Sequence, residues 1–138
     1  MNNDLDKIFD SSPKVSVIIN VHNGIKFIET TIQSILNQTY SDFELIVFNN
    51  ASSDGTDEFL KSIVDKRIKV YRNEELVPLY KARNLAVEKA NGEFIAFCDV
   101  DDLWFQTKLE EQIQDIEKSE DLISCTNFLI LNERNTKK

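Results

Sequence analysis

Glycine and proline are scarce, three and two in 138 residues. That excludes a low-complexity or linker-like chain. Cysteine is as rare. Cys98 and Cys125 each lie in an apolar run and no metal-type CxxC spacing occurs, so the expectation is two buried thiols in a reducing compartment. The one histidine, His22, has no second His or Cys motif nearby, which argues against a role as metal ligand. No run approaches ~18 uninterrupted apolar residues, and the opening MNNDLDKIFDSSP has no apolar core of signal-peptide length. The default expectation is a cytoplasmic protein. Positive charge is also in short supply: 16 Lys and Arg against 24 acids, a formal charge of -8. Nucleic-acid binding draws its affinity from Lys and Arg, so that partner is disfavoured. A single small phosphorylated ligand held by a metal ion is not.

What is present is a regular alternation. A polar leader is expected over 1–13, a folded body over 14–131 and a polar tail over 132–138. VSVIINV (15–21) is β-branched and apolar on both faces, as a buried parallel strand requires. From Lys26 to Gln38, Ile28, Ile32 and Ile35 recur at helical spacing. ELIVFN (44–49) predicts a second strand. Ser53 or Thr56 then caps a helix whose inner face is Phe59, Leu60, Ile63 and Val64. IKVYR (68–72) predicts a third strand. A helix over about 79–91 follows, with a narrow Ala82, Leu85, Ala86, Ala90 face and Gly92 as its C-cap. EFIAFC (93–98) predicts a fourth strand, Thr107 to Lys118 a helix, and LISCTNFLIL (122–131) a last strand. Strands alternating with helices make an α/β domain with a mostly parallel sheet. Such sheets bind ligands at the carboxyl ends of their strands.

Three polar clusters fall at those ends: NVHNG, NNASSDG and DVDD. The last puts Asp99, Asp101 and Asp102 within four residues after an apolar strand, although like charges so close repel. One reading has Asp101 or Asp102 capping the next helix. The other has the carboxylates holding a hard divalent cation, Mg²⁺ or Mn²⁺, whose shell a phosphate completes. NNASSDG reads either as a turn or as Asn49 and Asn50 presenting amides to a ligand. His22 is expected in a loop beside that ligand. Arg83 is either a solvated charge or the cation that pairs with a diphosphate.

Taken together the clusters resemble family-2 glycosyltransferases. VSVIINVHNG resembles their opening strand and loop, SILNQTYSDFELIVFNNASSDGT their second block, and ARNLAVEKANGEFIAFCDVDDLW with the later KLE their third, ending in Asp-x-Asp. The resemblance runs over roughly 14–118. It implies a GT-A, Rossmann-like, mostly parallel sheet flanked by helices, truncated after about five strands. It also implies a nucleotide-sugar donor, UDP-sugar favoured, with a divalent metal on its diphosphate and transfer to an acceptor hydroxyl in polysaccharide biosynthesis. Asp101 would be the main metal ligand, and Asp99 would contact the ribose or the metal shell. Asp102 would orient that shell or cap the helix. Asn20, His22 and Asn50 would lie at the base, and Arg83 would reach the donor.

Two departures stand out. Asn49-Asn50 occupies the place of the family's usual Asp-Asp, whose second member accepts the uracil imide N–H. His22 stands where a stacking Tyr is common. The family's second half, with the acceptor site and general base, has no counterpart in this chain. The expectation is therefore a donor-binding half whose general base is not in this chain. A glycan acceptor, a peripheral membrane contact and a homodimer are all compatible with it. The competing reading is a non-catalytic module that binds nucleotide or a partner. Asp-nucleophile phosphatases also set Asp-x-Asp at a strand end, but after the first strand and with Thr following, whereas here Leu103 follows after the fourth.

Overall fold

A computed structural model describes residues 12–119 and 123–130. Its elements are β1 (Val15–Val21), α1 (Ile28–Leu36), β2 (Phe43–Asn50), α2 (Thr56–Ser62), β3 (Ile68–Asn73), α3 (Leu79–Val87), β4 (Phe94–Phe97) and α4 (Lys108–Ser119). The sheet order is β3-β2-β1-β4 and every pairing is parallel. β1 and β2 are central, and all eight residues of β2 are buried, which is why both read as continuous apolar runs.

The pleat sorts the core into two layers. Val15, Val17, Ile19 and Val21 pack with Ile28, Ile32 and Ile35 of α1, Leu60 of α2, and Leu109 and Ile113 of α4. On the other face Ile18, Ile46 and Phe48 meet Ala82 and Ala86, small residues one turn apart that let α3 lie close on the sheet.

The amino-terminal end of the sheet is tied by one buried carboxylate. Glu44 Oε1 accepts from Ser16 Oγ at 2.6 Å and from the Asn91 N–H at 2.7 Å, and its Oε2 lies 2.6 Å from Lys69 Nζ. Gly92 N–H donates to Ser16 Oγ at 2.8 Å. Burial pushes the Glu44 carboxyl upward, but Lys69, Ser16 and Asn91 outweigh it and hold it below the usual range.

Several expectations are corrected. α3 stops at Val87, so Gly92 is not its C-cap. A Cβ at Gly92 would fall 2.4 Å from Ser16 N and 2.7 Å from Val15 C, so the residue is there for a close backbone approach to β1. Neither Ser53 nor Thr56 caps α2. Gly55 is the N-cap residue at φ 97°, and Asp54 Oδ1 accepts from Thr56 N–H and Oγ1. The chain leaves α2 in extended conformation at Ile63, which turns Val64 out to solvent instead of into the core.

Residues 123–130 of the expected last strand carry no regular secondary structure; Leu122 and Leu131 lie outside the described residues. A strand needs a ladder partner, and none of the sheet's pairings reaches this run. Cys125 is exposed for the same reason, so only Cys98 is the buried thiol expected. The leader over 1–11, the tail from 132 and the far end of the expected body fall outside the described residues.

Candidate functional site

The loops after β1 and β2 are stitched to one another. Asn23 N–H donates to Ser52 Oγ at 2.9 Å, and Ser53 N–H returns to Asn23 Oδ1 at 2.8 Å. Gly24 N–H reaches Thr56 Oγ1 at 3.1 Å, and Ile25 N–H reaches Asp54 Oδ2 at 3.0 Å. Asn23 and Ala51 hold positive φ to make these turns. A side chain at Gly24 would collide with Val21 and Val100. The mouth of the sheet is thus fixed by hydrogen bonds within the polar segments that read as turns.

Asn49 belongs to that framework and presents no amide to a ligand. It is fully buried, accepts from Ser52 N–H at 3.1 Å and donates from Nδ2 to Asp57 Oδ1 at 3.1 Å. Lys61 and Arg72 also bond Asp57 and hold its carboxyl down to about 2, against the opposing effect of burial.

Asn20, His22 and Asn50 come together around a cleft of about 200 Å³ at the carboxyl ends of β1 and β2, with Val21, Leu76, Val77 and Leu79 completing its wall. His22 Nδ1 lies 2.9 Å from the Asn50 carbonyl, and its Nε2 lies 3.2 Å from Asn23 Nδ2. A carbonyl only accepts, so Nδ1 carries the proton and Nε2 accepts. Asn50 bonds the backbone of Val77 in both directions, accepting from its N–H at 3.1 Å and donating to its carbonyl at 2.7 Å. Asn20 Nδ2 is shielded from water and, among the described residues, meets no acceptor. The Leu76–Leu79 wall went unrecognised in the sequence; its signal was the apolar LVPL inside an otherwise polar loop.

The acidic loop is a second group. Arg83 on α3 donates from Nη2 to Asp99 Oδ1 at 2.8 Å and sits 5.7 Å from the Phe97 ring centroid. Asp102 N–H closes a turn onto the Asp99 carbonyl at 3.0 Å. α4 begins only at Lys108, so neither Asp101 nor Asp102 caps it. Thr31 Oγ1 to the Val100 carbonyl, Ser34 Oγ to Trp104 N–H and Gln38 to both the Phe105 carbonyl and Leu109 N–H pin this loop to α1. Burial, then Asp99 and Asp101, raises the Asp102 carboxyl. Burial, then Asp102 and Asp99, pushes the Cys98 thiol up to about 12, which leaves it inert as a nucleophile. Among the described residues no hydrogen bond or ion pair engages the Asp101 carboxylate.

A larger hollow of about 430 Å³ lies between the end of α4 and residues 123–125. Glu117 pairs with Lys14 just before β1, which puts that hollow at the opposite end of the sheet from the polar clusters. Site geometry therefore favours the smaller cleft.

Among the described residues no three His, Cys, Asp or Glu converge as a ready-made metal cage. The exposed oxygens of Asp99 and Asp101 nonetheless fit the chemistry of Mg²⁺ or Mn²⁺, which take one or two carboxylates and complete their shell with water and substrate phosphate.

A family model described as "Glycosyl transferase family 2" matches residues 16–138. The chain is 40% identical over 118 residues to an Escherichia coli UDP-Glc:alpha-D-GlcNAc-diphosphoundecaprenol beta-1,3-glucosyltransferase, WfgD, covering 86% of this chain and 47% of that protein. Staphylococcus aureus TarS in complex with UDP-GlcNAc is similar in structure, with a TM-score of 0.72 at 30% identity over 78% of this chain and 32% of that one. The Pyrobaculum calidifontis mannosyltransferase PcManGT, in complex with GDP-Man and Mn²⁺, has a TM-score of 0.69 at 27% identity over 76% of this chain and 32% of that one. The chain spans between 19% and 50% of the length of the curated relatives it matches.

Proposed function

The chain belongs to glycosyl transferase family 2, and from that membership we propose that it is the donor-binding part of a glycosyltransferase that takes a nucleotide-diphosphate sugar, UDP-sugar by preference. The observation that carries the reading is the cleft at the carboxyl ends of β1 and β2 with the Arg83–Asp99 pair on the neighbouring α3 and acidic loop. An open parallel sheet offers a ligand its crevice at that edge.

In this reading the base enters the cleft between His22 and the Leu76–Leu79 wall, with Asn20 and Asn50 at its floor. Asp99 takes the ribose or the metal shell, and Asp101 is the main metal ligand. Arg83 is the one cation paired within the acidic loop among the described residues, and its guanidinium suits a diphosphate. A bound Mg²⁺ or Mn²⁺ supplies charge neutralisation at the departing diphosphate. PcManGT, captured with Mn²⁺, supports that cofactor. The acceptor is a hydroxyl of a glycan, built into a polysaccharide. The unpaired thiols Cys98 and Cys125 support a reducing compartment, the cytoplasm.

Calorimetric titration with UDP, GDP, CDP and dTDP, each with and without Mn²⁺, tests the proposal. Mn²⁺-dependent binding, strongest for UDP, is expected. Absence of binding by any of the four in a folded sample refutes it.

A further inference from the structure

Asn50 stands where an acidic base-reader is usual, yet its amide is already spent. Oδ1 accepts from Val77 N–H and Nδ2 donates to the Val77 carbonyl, at 5% residue exposure. Asn20 is in the opposite condition, with a buried Nδ2 that meets no acceptor among the described residues. The two are neighbours on one face. Asn20 pairs in register with Phe48, so Ile18, Asn20, Phe48 and Asn50 all project to the α3 side, and both asparagines line the cleft.

We propose that this chain selects its nucleotide through Asn20, whose amide donates to an exocyclic carbonyl oxygen of a pyrimidine base, while Asn50 is a positioning residue that clasps the Val77 wall. The inference rests on the donor-binding reading above and sharpens it. Among the described residues no acceptor engages Asn20 Nδ2, so the amide is uncommitted, and a base carbonyl gives it the partner that the protein does not. Asn20 is only partly buried and lines the cleft, so a half-turn about its soft terminal torsion, which exchanges Nδ2 with Oδ1, is the motion that would present the donor to the base. The ring imide proton is then not what the protein reads. Uracil and cytosine both carry the required carbonyl, and adenine does not.

The test uses the 138-residue chain with Mn²⁺ and titrates UDP, CDP and ADP into wild type, Asn20→Leu, Asn20→Ala and Asn50→Asp. Both Asn20 variants are expected to lose roughly tenfold in affinity for UDP and CDP, the worth of one satisfied buried hydrogen bond, with ADP little changed. Their ligand-free melting temperature is expected to equal or exceed that of wild type, because an unpaired donor has gone. Asn50→Asp is expected to weaken all three nucleotides by a similar factor, since a carboxylate cannot donate to the Val77 carbonyl and the wall loosens. The inference is overturned by wild-type UDP affinity in a folded Asn20 variant, or by an Asn50→Asp gain for UDP that CDP does not share. Failure of wild type to bind any nucleotide overturns the donor-site reading itself, and this inference with it.

Discussion

Arg83 Nη2 and Asp99 Oδ1 lie 2.8 Å apart, so the first carboxylate of the acidic loop already has a cation beside it. The pair is well exposed, and such pairs contribute at most ~1 kcal/mol to stability. Its interest is competitive. A metal ion that takes Asp99 must displace a guanidinium, and a diphosphate gives that guanidinium somewhere to go.

Arg83→Met is therefore expected to leave the melting temperature nearly unchanged and to strengthen binding of Mn²⁺ alone. It should weaken Mn²⁺-dependent UDP binding roughly tenfold, the worth of a charge-assisted hydrogen bond. Calorimetry with metal and nucleotide titrated separately reads both signs. A variant that loses Mn²⁺ and UDP affinity together contradicts the competition.

Asp101→Asn is expected to abolish the Mn²⁺-dependent part of UDP binding in a folded protein. The carboxylate is exposed, and among the described residues no hydrogen bond or ion pair engages it. Removing one of three crowded acids also relieves repulsion, so the ligand-free protein should be as stable as wild type or slightly more so. Unchanged Mn²⁺-dependent affinity would sink the assignment of Asp101 as metal ligand.

Glu44→Gln addresses the other end of the sheet. It removes the charge that Ser16 and Lys69 face at 4% exposure, and because Lys69 is itself part exposed and can turn to water, a cost of roughly 1.5 kcal/mol is expected in urea unfolding. The pH dependence follows from the direction of the shift. The folded-state carboxyl is held below its unfolded value, so its contribution is fully present above the ordinary glutamate range and is lost as pH falls through the lowered value. Wild type should therefore lose stability on acidification more steeply than Glu44→Gln. Parallel acid profiles for the two proteins would show that this carboxyl is not the group responsible.

The 138 residues by themselves are expected to bind donor without transferring sugar, and to self-associate. Transfer needs an acceptor held in line and a base to take its proton. After the acidic loop the described chain supplies only α4 and residues 123–130, whose Ile123, Phe128, Leu129 and Ile130 are exposed. Among the described residues β4 has an open edge with Phe97 half exposed, a surface that invites pairing. A radiolabelled donor panel with mixed acceptors, run beside light scattering, decides the matter. Robust transfer by a strictly monomeric sample would overturn both parts.

The alternation of strands and helices was legible because the two central strands of the parallel sheet are covered on both sides, which writes β1 and β2 as nearly unbroken apolar runs. Grouping Asn20, His22 and Asn50 was legible for the same reason: doubly covered strands leave only their ends for chemistry. What pattern alone could not reach was the division of labour inside a cluster. Asn49 and Asn50 are adjacent and chemically identical, yet strand alternation sends one into the Asp57–Ser52 framework and the other to Val77. Gly92 misled because a glycine after a helix and a glycine beneath a strand look alike in one dimension. LISCTNFLIL misled because apolar alternation signals a strand only where a neighbour exists to pair with it.

The Glu44 network also acts as a register check on the sheet. Ser16, Glu44 and Lys69 come from three different strands, and each is flanked by apolar neighbours: Val15 and Val17, Phe43 and Leu45, Ile68 and Val70. A slip of one residue in any of these strands would bring a hydrocarbon side chain to the carboxylate and strand a charge in the interior. The contacts span up to 76 residues of chain, so they cannot assemble from local structure alone. They form only when all the strands have arrived in the correct alignment, which makes misaligned sheets shallow traps and correct assembly a single cooperative event.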